Sequence, residues 1–143
     1  MAANIHSLID SQLENLTTLS SLLEQELHLI SGRDADALMQ LLAEKSNNLE
    51  AIAKMDSAIA EVYQSLTETE RSEESLQHKI SEIQSLLEDC KYRTSVNQKA
   101  VEQGQLKIAH LRNMLTEARA KESMTYDKSG QTKGGTLGKG ISA

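Results

Sequence analysis

Apolar residues near the start of the chain recur at the spacing of one face of an α-helix. One row with a step of seven residues comprises Ile9, Leu16, Leu23 and Ile30. Such a row is typical of helices that pack side by side, as in a coiled coil. Further leucines lie on both sides of the row, so we expect a helix over about residues 4–31 that contacts more than one neighbour. Gly32 then offers a left-handed end to this helix.

Two more helical segments follow. Asp34 is a suitable N-cap for a second helix over about residues 34–68, whose apolar row comprises Leu38, Leu42, Leu49, Ile52, Ile59, Tyr63 and Leu66. A third helix over about residues 73–122 carries the row Leu76, Ile80, Ile83, Leu87, Cys90, Thr94, Asn97, Val101, Gly104, Ile108, Leu111, Leu115 and Ala118. The sequence therefore predicts an all-α fold, an elongated antiparallel bundle of three long coiled-coil-like helices.

The junction between the second and third helices is not marked by glycine or proline. Thr67 and Glu70 have the spacing of a capping box, and Ser72 is an alternative cap for the following helix. Either cap would separate the two helices. A continuous helix from Asp34 to about Lys121 is the other possibility that the sequence leaves open.

Two polar residues occupy positions on these apolar rows. We interpret Lys45 as a side chain whose stem packs on the row while its ammonium group reaches water. Asn97 lies among poor core fillers in the middle of the third row. Either this stretch is hydrated and adaptable, or Asn97 fixes the register of the helices as a buried polar group.

Composition and charge support long helices and argue against nucleic acid as a partner. The chain has no Phe, Trp or Pro, and a quarter of its residues are charged, which is typical of coiled coils. Residues 1–90 hold 5 Lys and Arg against 17 Asp and Glu, whereas residues 91–143 hold 10 against 4. A chain that is acidic overall and poor in aromatic residues lacks the basic groove and stacking platform of nucleic-acid-binding proteins.

The residues that could carry catalytic chemistry are isolated. The four histidines have no metal-ligand spacing, and Cys90 lies on an apolar row, where a cysteine is usually a small buried side chain. Met39, Met55 and Met114 are interpreted as gap fillers. We therefore predict no catalytic residues, no metal site, no cofactor and no enzymatic activity.

The sequence indicates a cytoplasmic protein without direct membrane insertion. A single cysteine fits a reducing compartment. Asp10 and Glu14 interrupt any apolar signal segment, and no run approaches the roughly 20 apolar residues that span a bilayer. We expect a helical domain over residues 1–123 and a flexible Gly/Lys tail over residues 124–143, because residues 127–143 contain five glycines and almost no apolar residues.

Helices with wide apolar faces and little candidate chemistry favour protein binding as the function. A partner helix could bury the surplus leucines. The alternative, from another class, is a structural coiled-coil subunit of a permanent assembly.

The tail contains the most specific motif, Tyr126-Asp127-Lys128-Ser129-Gly130-Gln131-Thr132, followed by a Gly/Lys stretch that ends in Gly140-Ile141-Ser142. It resembles the C-terminal signature of the FlgN family of flagellar type III export chaperones. The second helix, with Leu38, Leu41, Glu44, Lys45, Leu49 and Ile52, is similar to that of the family as well. The sequence departs from the family at Thr94 and Gln98, where the family often has Asn and Gly.

The resemblance implies a chaperone that binds the C-terminal helical region of the hook-associated proteins FlgK and FlgL, prevents their premature assembly and delivers them to the export gate. Carried over by position, it implies client-binding roles for Asn97, Val101, Ile108, Leu111 and Leu115. It also implies that Tyr126, Gly130 and Gln131 dock on the export-gate protein FlhA.

Overall fold

The structure, a computed structural model, describes the backbone of residues 2–32 and 34–128 and the side chains of residues 4–32 and 34–124. These residues form four helices and no strand, which confirms the all-α prediction. The helices are α1 (Ala2–Ile30), α2 (Ala35–Ser65), the short α3 (Glu68–Arg71) and α4 (Glu74–Lys128). None of the helices in the described part of the chain is long and apolar enough to cross a membrane.

The turn between α1 and α2 is closed by local hydrogen bonds. The Gly32 amide donates to the carbonyl of Leu29 at 3.1 Å, and the Ser31 hydroxyl donates to the carbonyl of His28 at 3.2 Å. The φ of Gly32 is not in the left-handed region, so the predicted left-handed stop at Gly32 is wrong, and these bonds satisfy carbonyls at the end of α1 instead. Asp34 caps α2 as predicted, since its carboxylate accepts from the Ala37 amide at 3.0 Å.

A capping box separates α2 from α4. The Thr67 hydroxyl accepts from the Glu70 amide at 3.2 Å, while the Glu70 carboxylate accepts from the Thr67 amide at 3.1 Å. The predicted capping box is therefore confirmed, the continuous helix is wrong, and Ser72 ends α3 instead of capping α4. The hydrogen bond from the Thr67 amide is the main reason that the pKa of Glu70 is lowered.

Arg71 fastens this junction to the end of α2. Its guanidinium donates to the carbonyls of Tyr63 and Gln64 at 3.1 and 3.0 Å, and it lies over the Tyr63 ring at 5.0 Å from the centroid. The last carbonyls of a helix have no partner within the helix. Arg71 therefore serves as a C-terminal cap for α2, which sequence spacing alone did not indicate.

The chain divides into two compact units, residues 1–100 and residues 101–143. α4 contributes to both. It ends at Lys128 instead of about residue 122, because no glycine or proline interrupts it after Gly104 until Gly130. The predicted boundary at residue 123 thus lies inside a helix, and the rest of the predicted tail lies outside the described residues.

α1 forms the centre of the first unit and contacts two neighbours, as its wide apolar face predicted. Against α2, the Gln12 side chain donates to the Ile52 carbonyl and the Asn48 side chain donates to the Asn15 carbonyl, so these two helices run antiparallel. Against α4, Asp10 pairs with Lys79, the Leu16 carbonyl accepts from Cys90, and the Leu23 carbonyl accepts from Asn97. The contacts therefore follow the same order along both helices. For the chain beyond residue 100, the predicted bundle packing stays a prediction.

Two apolar clusters make the core of the first unit. The larger contains Ile5, Ile9, Leu66 and Leu76, and the smaller contains Leu19, Leu23 and Cys90. Most of these residues belong to the predicted apolar rows, although Leu42, Leu49 and Leu87 of the same rows are between 37% and 45% exposed. Each fully buried Leu or Ile contributes about 1.5–3 kcal/mol to the unit's stability.

Candidate protein-binding surface

Four apolar residues on one face of α4 in the second unit are exposed. Val101, Ile108, Leu111 and Leu115, which we call the α4 stripe, are each between 43% and 60% exposed. Leu16 and Leu23 hold equivalent positions on the apolar row of α1 and are 1% exposed. The same spacing therefore gives buried positions in α1 and open apolar surface in the second unit, while Leu42 and Leu49 on the row of α2 are 39% and 45% exposed.

The spacing of the α4 stripe is that of a helix-packing face. Ile108, Leu111 and Leu115 are related by steps of three and four residues, and Val101 lies one heptad before Ile108. Side chains with these steps project from the same side of an α-helix. An isolated helix gains little from such a row in water, so the arrangement suits a face that receives another helix.

Gly104 lies on the same row as the α4 stripe. A methyl group added at this position would meet no heavy atom within 4 Å. Close packing inside the chain therefore does not require glycine here, although glycine within a helix costs roughly 1 kcal/mol relative to alanine. Gly104 leaves a gap between Val101 and Ile108 where the backbone of a partner could approach closely.

Some exposed apolar residues of α4 lie away from the row that sequence spacing identifies, Leu106 and Met114 among them. Leu106 is 70% exposed and lies on the opposite side of the helix from the α4 stripe, whereas Met114 lies beside Leu111 and is also exposed. The interpretation of Met114 and Met39 as gap fillers is wrong, since both side chains are exposed. A search for residues beside the row, and not only on it, would have identified Met114.

Asn97 belongs to a polar cluster buried in the first unit. Its amide donates to the Leu23 carbonyl at 2.9 Å and to the Glu26 carboxylate at 2.7 Å. The predicted buried polar role of Asn97 is thereby confirmed, because only 5% of the residue is exposed, whereas Thr94 of the same stretch is exposed. Its amide is committed to α1, so we leave Asn97 out of the proposed client surface.

Lys45 completes this polar cluster from α2. Its ammonium group lies 3.0 and 3.2 Å from the two carboxylate oxygens of Glu26, which is itself buried. The Lys45 side chain keeps partial contact with water, as its interpretation as a side chain that reaches solvent required, but its ammonium group is also bound to a buried carboxylate, which that interpretation did not include. A buried carboxylate needs a partner charge, and this requirement could not be seen from Lys45 because Glu26 lies 19 residues away on another helix.

Cys90 is a small buried core residue, as predicted. Its thiol donates to the Leu16 carbonyl at 3.7 Å, and burial, followed by the charge of Asp89, raises the pKa of the thiol. A raised pKa keeps the group as a thiol near neutral pH, where it is a poor nucleophile. Within the described residues, no three His, Cys, Asp or Glu side chains are grouped as metal ligands.

The residues predicted to dock on the export gate fall at the end of the described chain. Tyr126 belongs to the last turn of α4, which ends at Lys128. Its side chain, and both Gly130 and Gln131, lie outside the described residues. Their docking role stays a prediction.

Comparison with known protein families identifies a match over most of the chain. The model of a family described as FlgN protein matches residues 1–134. No curated protein matches the chain, and no solved structure does. The match includes all four helices and the α4 stripe.

Proposed function

Because the chain belongs to the FlgN family, we propose that it is a cytoplasmic chaperone of flagellar type III secretion. Its clients are the hook-associated proteins FlgK and FlgL, which it binds through their C-terminal helical region. Binding prevents their premature assembly, and the chaperone then delivers them to the export gate. No enzymatic step is part of this proposal.

The exposed α4 stripe is the observation that carries the proposal. A client that assembles by packing helices against one another exposes an apolar helix face before assembly. The α4 stripe offers a substitute face of the same period, and burying each of its large side chains completely is worth about 1.5–3 kcal/mol. About half of the surface of these side chains is already covered in the free chain. The free energy gained by burying the rest is therefore moderate, which supports reversible capture of the client.

Delivery is assigned to the end of the chain. We propose that Tyr126, Gly130 and Gln131 dock on FlhA, the export-gate protein. An aromatic side chain flanked by polar residues suits an anchor that inserts into a partner's pocket. Client capture by Val101 to Leu115 and gate docking by residues from Tyr126 onward are thus separate in sequence.

A structural subunit of a permanent assembly is the alternative. The first unit has its own apolar core and a capped junction, which favours a protein that is folded before it meets a partner. A permanent subunit produced without its partner should be insoluble or degraded. A chaperone should be soluble alone and should release its client.

The test uses the same substitution on two sides of α4. Leu111→Asp places a carboxylate on the α4 stripe. Leu106→Asp places one on the opposite side of the helix, where the leucine is more exposed than Leu111. Co-expression pull-down with FlgK should lose capture with Leu111→Asp, since burying an unpaired carboxylate is costly. Leu106→Asp should retain it.

Circular dichroism provides the folding control, because both substitutions are at exposed helical positions. Equal capture by the two folded variants would remove the α4 stripe from the client site. Loss of capture by both would show that α4 tolerates no added charge, which also contradicts a site confined to one face.

A further inference from the structure

The positions that border the α4 stripe have a consistent charge. In a coiled coil, interhelical charge pairs form at the positions directly beside the apolar row. Along the row from Val101 to Ala118, these border positions hold Gln105, Lys107, Arg112, Met114, Arg119 and Lys121. None is acidic.

The acidic residues of this part of α4 lie elsewhere. Glu102 and Glu117 are on the opposite half of the helix, and Glu122 follows the end of the row. Lys107, Arg112 and Arg119, which we call the basic border, are exposed and form no ion pair with any residue that the structure describes. Three unpaired positive charges therefore line the apolar face.

We propose that the basic border selects a client helix with acidic residues beside its apolar row. This inference rests on the proposed function, and it adds the charge of the client helix to the apolar match. Opposite charges at border positions stabilise a helix pair, and like charges destabilise it by a similar amount. The client is thus an amphipathic helix with Leu or Ile on its row and Asp or Glu on both borders.

The same border disfavours a second copy of this chain as the occupant. Each helix has one border before its apolar row and one after it. In a parallel pair of identical helices, the first border of one helix faces the second border of the other, and in an antiparallel pair first faces first and second faces second. Both arrangements bring basic side chains together along this face. The charge pattern consequently favours an unlike partner over self-association.

Two synthetic helical peptides test the proposal. They share one length and one leucine row, and their border positions are all Glu in the first and all Lys in the second. Calorimetric titration of the full-length protein should show roughly five- to tenfold tighter binding of the Glu-bordered peptide, from three exposed charge pairs. The preference should shrink as salt rises from about 0.05 to 0.5 M, since exposed charges are screened.

Two charge-reversal variants with the same net charge complete the test. Lys107→Glu/Arg112→Glu/Arg119→Glu reverses the basic border and should invert the peptide preference. Lys54→Glu/Lys91→Glu/Lys99→Glu reverses three exposed lysines of the first unit and should keep it. Circular dichroism should show unchanged helicity for both.

Equal binding of the two peptides, or a preference that both variants change alike, would overturn the charge selection. If wild-type protein still captures FlgK in that case, and Leu111→Asp does not, the proposed function survives. Binding of neither peptide would overturn the inference outright, and failure of wild-type capture as well would remove the proposed function with it. A sedimenting dimer that Leu111→Asp dissociates would also contradict the inference, by showing that a second copy occupies the face.

Discussion

The Asn97 amide donates to the Glu26 carboxylate at 2.7 Å, and this bond joins α4 to α1 in the interior of the first unit. The Lys45 ammonium group reaches the same carboxylate from α2. A single buried carboxylate thereby contacts all three long helices. Because sliding one helix past another would separate these groups and leave the carboxylate buried without a partner, the cluster favours the observed alignment.

Removing the Lys45 charge should destabilise the first unit. Lys45→Met leaves the Glu26 carboxylate buried with Asn97 as its remaining side-chain partner, and we expect a loss of about 2 kcal/mol in the free energy of unfolding, since Lys45 keeps some contact with water. Urea denaturation followed by circular dichroism measures it. Glu26→Gln/Lys45→Met removes the buried charge while Gln can still accept from Asn97, so it should recover at least half of the loss. A double variant less stable than Lys45→Met would contradict this account.

The apolar rows predicted the fold because their period determines which side of each helix is apolar. Ile9, Leu16 and Leu23 are buried as that period requires. The junction after α2 is marked by a capping box, a local motif formed by Thr67 and Glu70, three residues apart. What the rows could not predict is where burial ends. Val101 and Leu115 continue the row of Leu76 and Cys90 without a change of period, yet they are exposed.

The polar partners could not be predicted either. Lys45, Asn97 and Glu26 are all polar residues on apolar rows, Glu26 lying seven residues after Leu19, but the sequence does not show that the three contact one another. Pairing of side chains on different helices depends on rotation and register, which periodicity does not determine to within one residue. The contact became visible only in three dimensions.

Two leucine-to-alanine substitutions, one in the core and one in the α4 stripe, should differ in their effect on the free energy of unfolding. Leu23 is fully buried, so Leu23→Ala should lower the free energy of unfolding by about 2–5 kcal/mol. Leu111 is exposed, so Leu111→Ala should change it by less than about 0.5 kcal/mol. Thermal and urea denaturation measure both. A loss at Leu111 as large as at Leu23 would show that the α4 stripe is internal core.

Ser20 should control the pKa of Asp89. The Ser20 hydroxyl donates to the Asp89 carboxylate at 2.9 Å and is the main reason that the pKa of Asp89 is lowered, followed by Arg93 at 3.0 Å. Ser20→Ala should therefore raise this pKa toward the ordinary value of about 3.9. Carboxyl carbon chemical shifts followed through an acid titration measure the change. Ser21→Ala, a change at the next residue, should leave the pKa of Asp89 unchanged. Equal pKa values for Asp89 in the Ser20→Ala and Ser21→Ala variants would refute the role of Ser20.

The sign of the accompanying pH effect follows from the lowered pKa. A carboxylate with a lower pKa in the folded state stabilises the fold above its unfolded pKa of about 3.9 and loses that contribution as pH falls through the folded value. Stability should thus decrease below about pH 4, and Ser20→Ala should decrease less steeply than wild type over that range. Unfolding midpoints at a series of acid pH values test this.

Gate docking should depend both on Tyr126 and on the residues after α4, and two different changes test the two contributions separately. Tyr126→Ala changes one side chain, while truncation after Lys128 keeps every residue of α4 and removes Gly130 and Gln131. If all three residues form the docking site, each change should weaken binding to the FlhA cytoplasmic domain at least tenfold, as loss of a central anchor does. FlgK capture should stay within a few-fold of wild type. Unchanged gate binding by the truncated chain would confine docking to α4.

Gly104→Ala should strengthen α4 and weaken client binding at the same time. The added methyl group meets nothing within 4 Å, and alanine is favoured over glycine in a helix by about 1 kcal/mol, so the helicity of the free protein should rise. The same methyl group would fill the gap in the row where we place close approach of a client helix, so FlgK affinity should fall. Gln105→Ala, on the neighbouring border position, controls for a general effect of alanine on α4. Higher helicity with undiminished affinity would show that the client does not approach the backbone at Gly104, and lower helicity would contradict the open space around it.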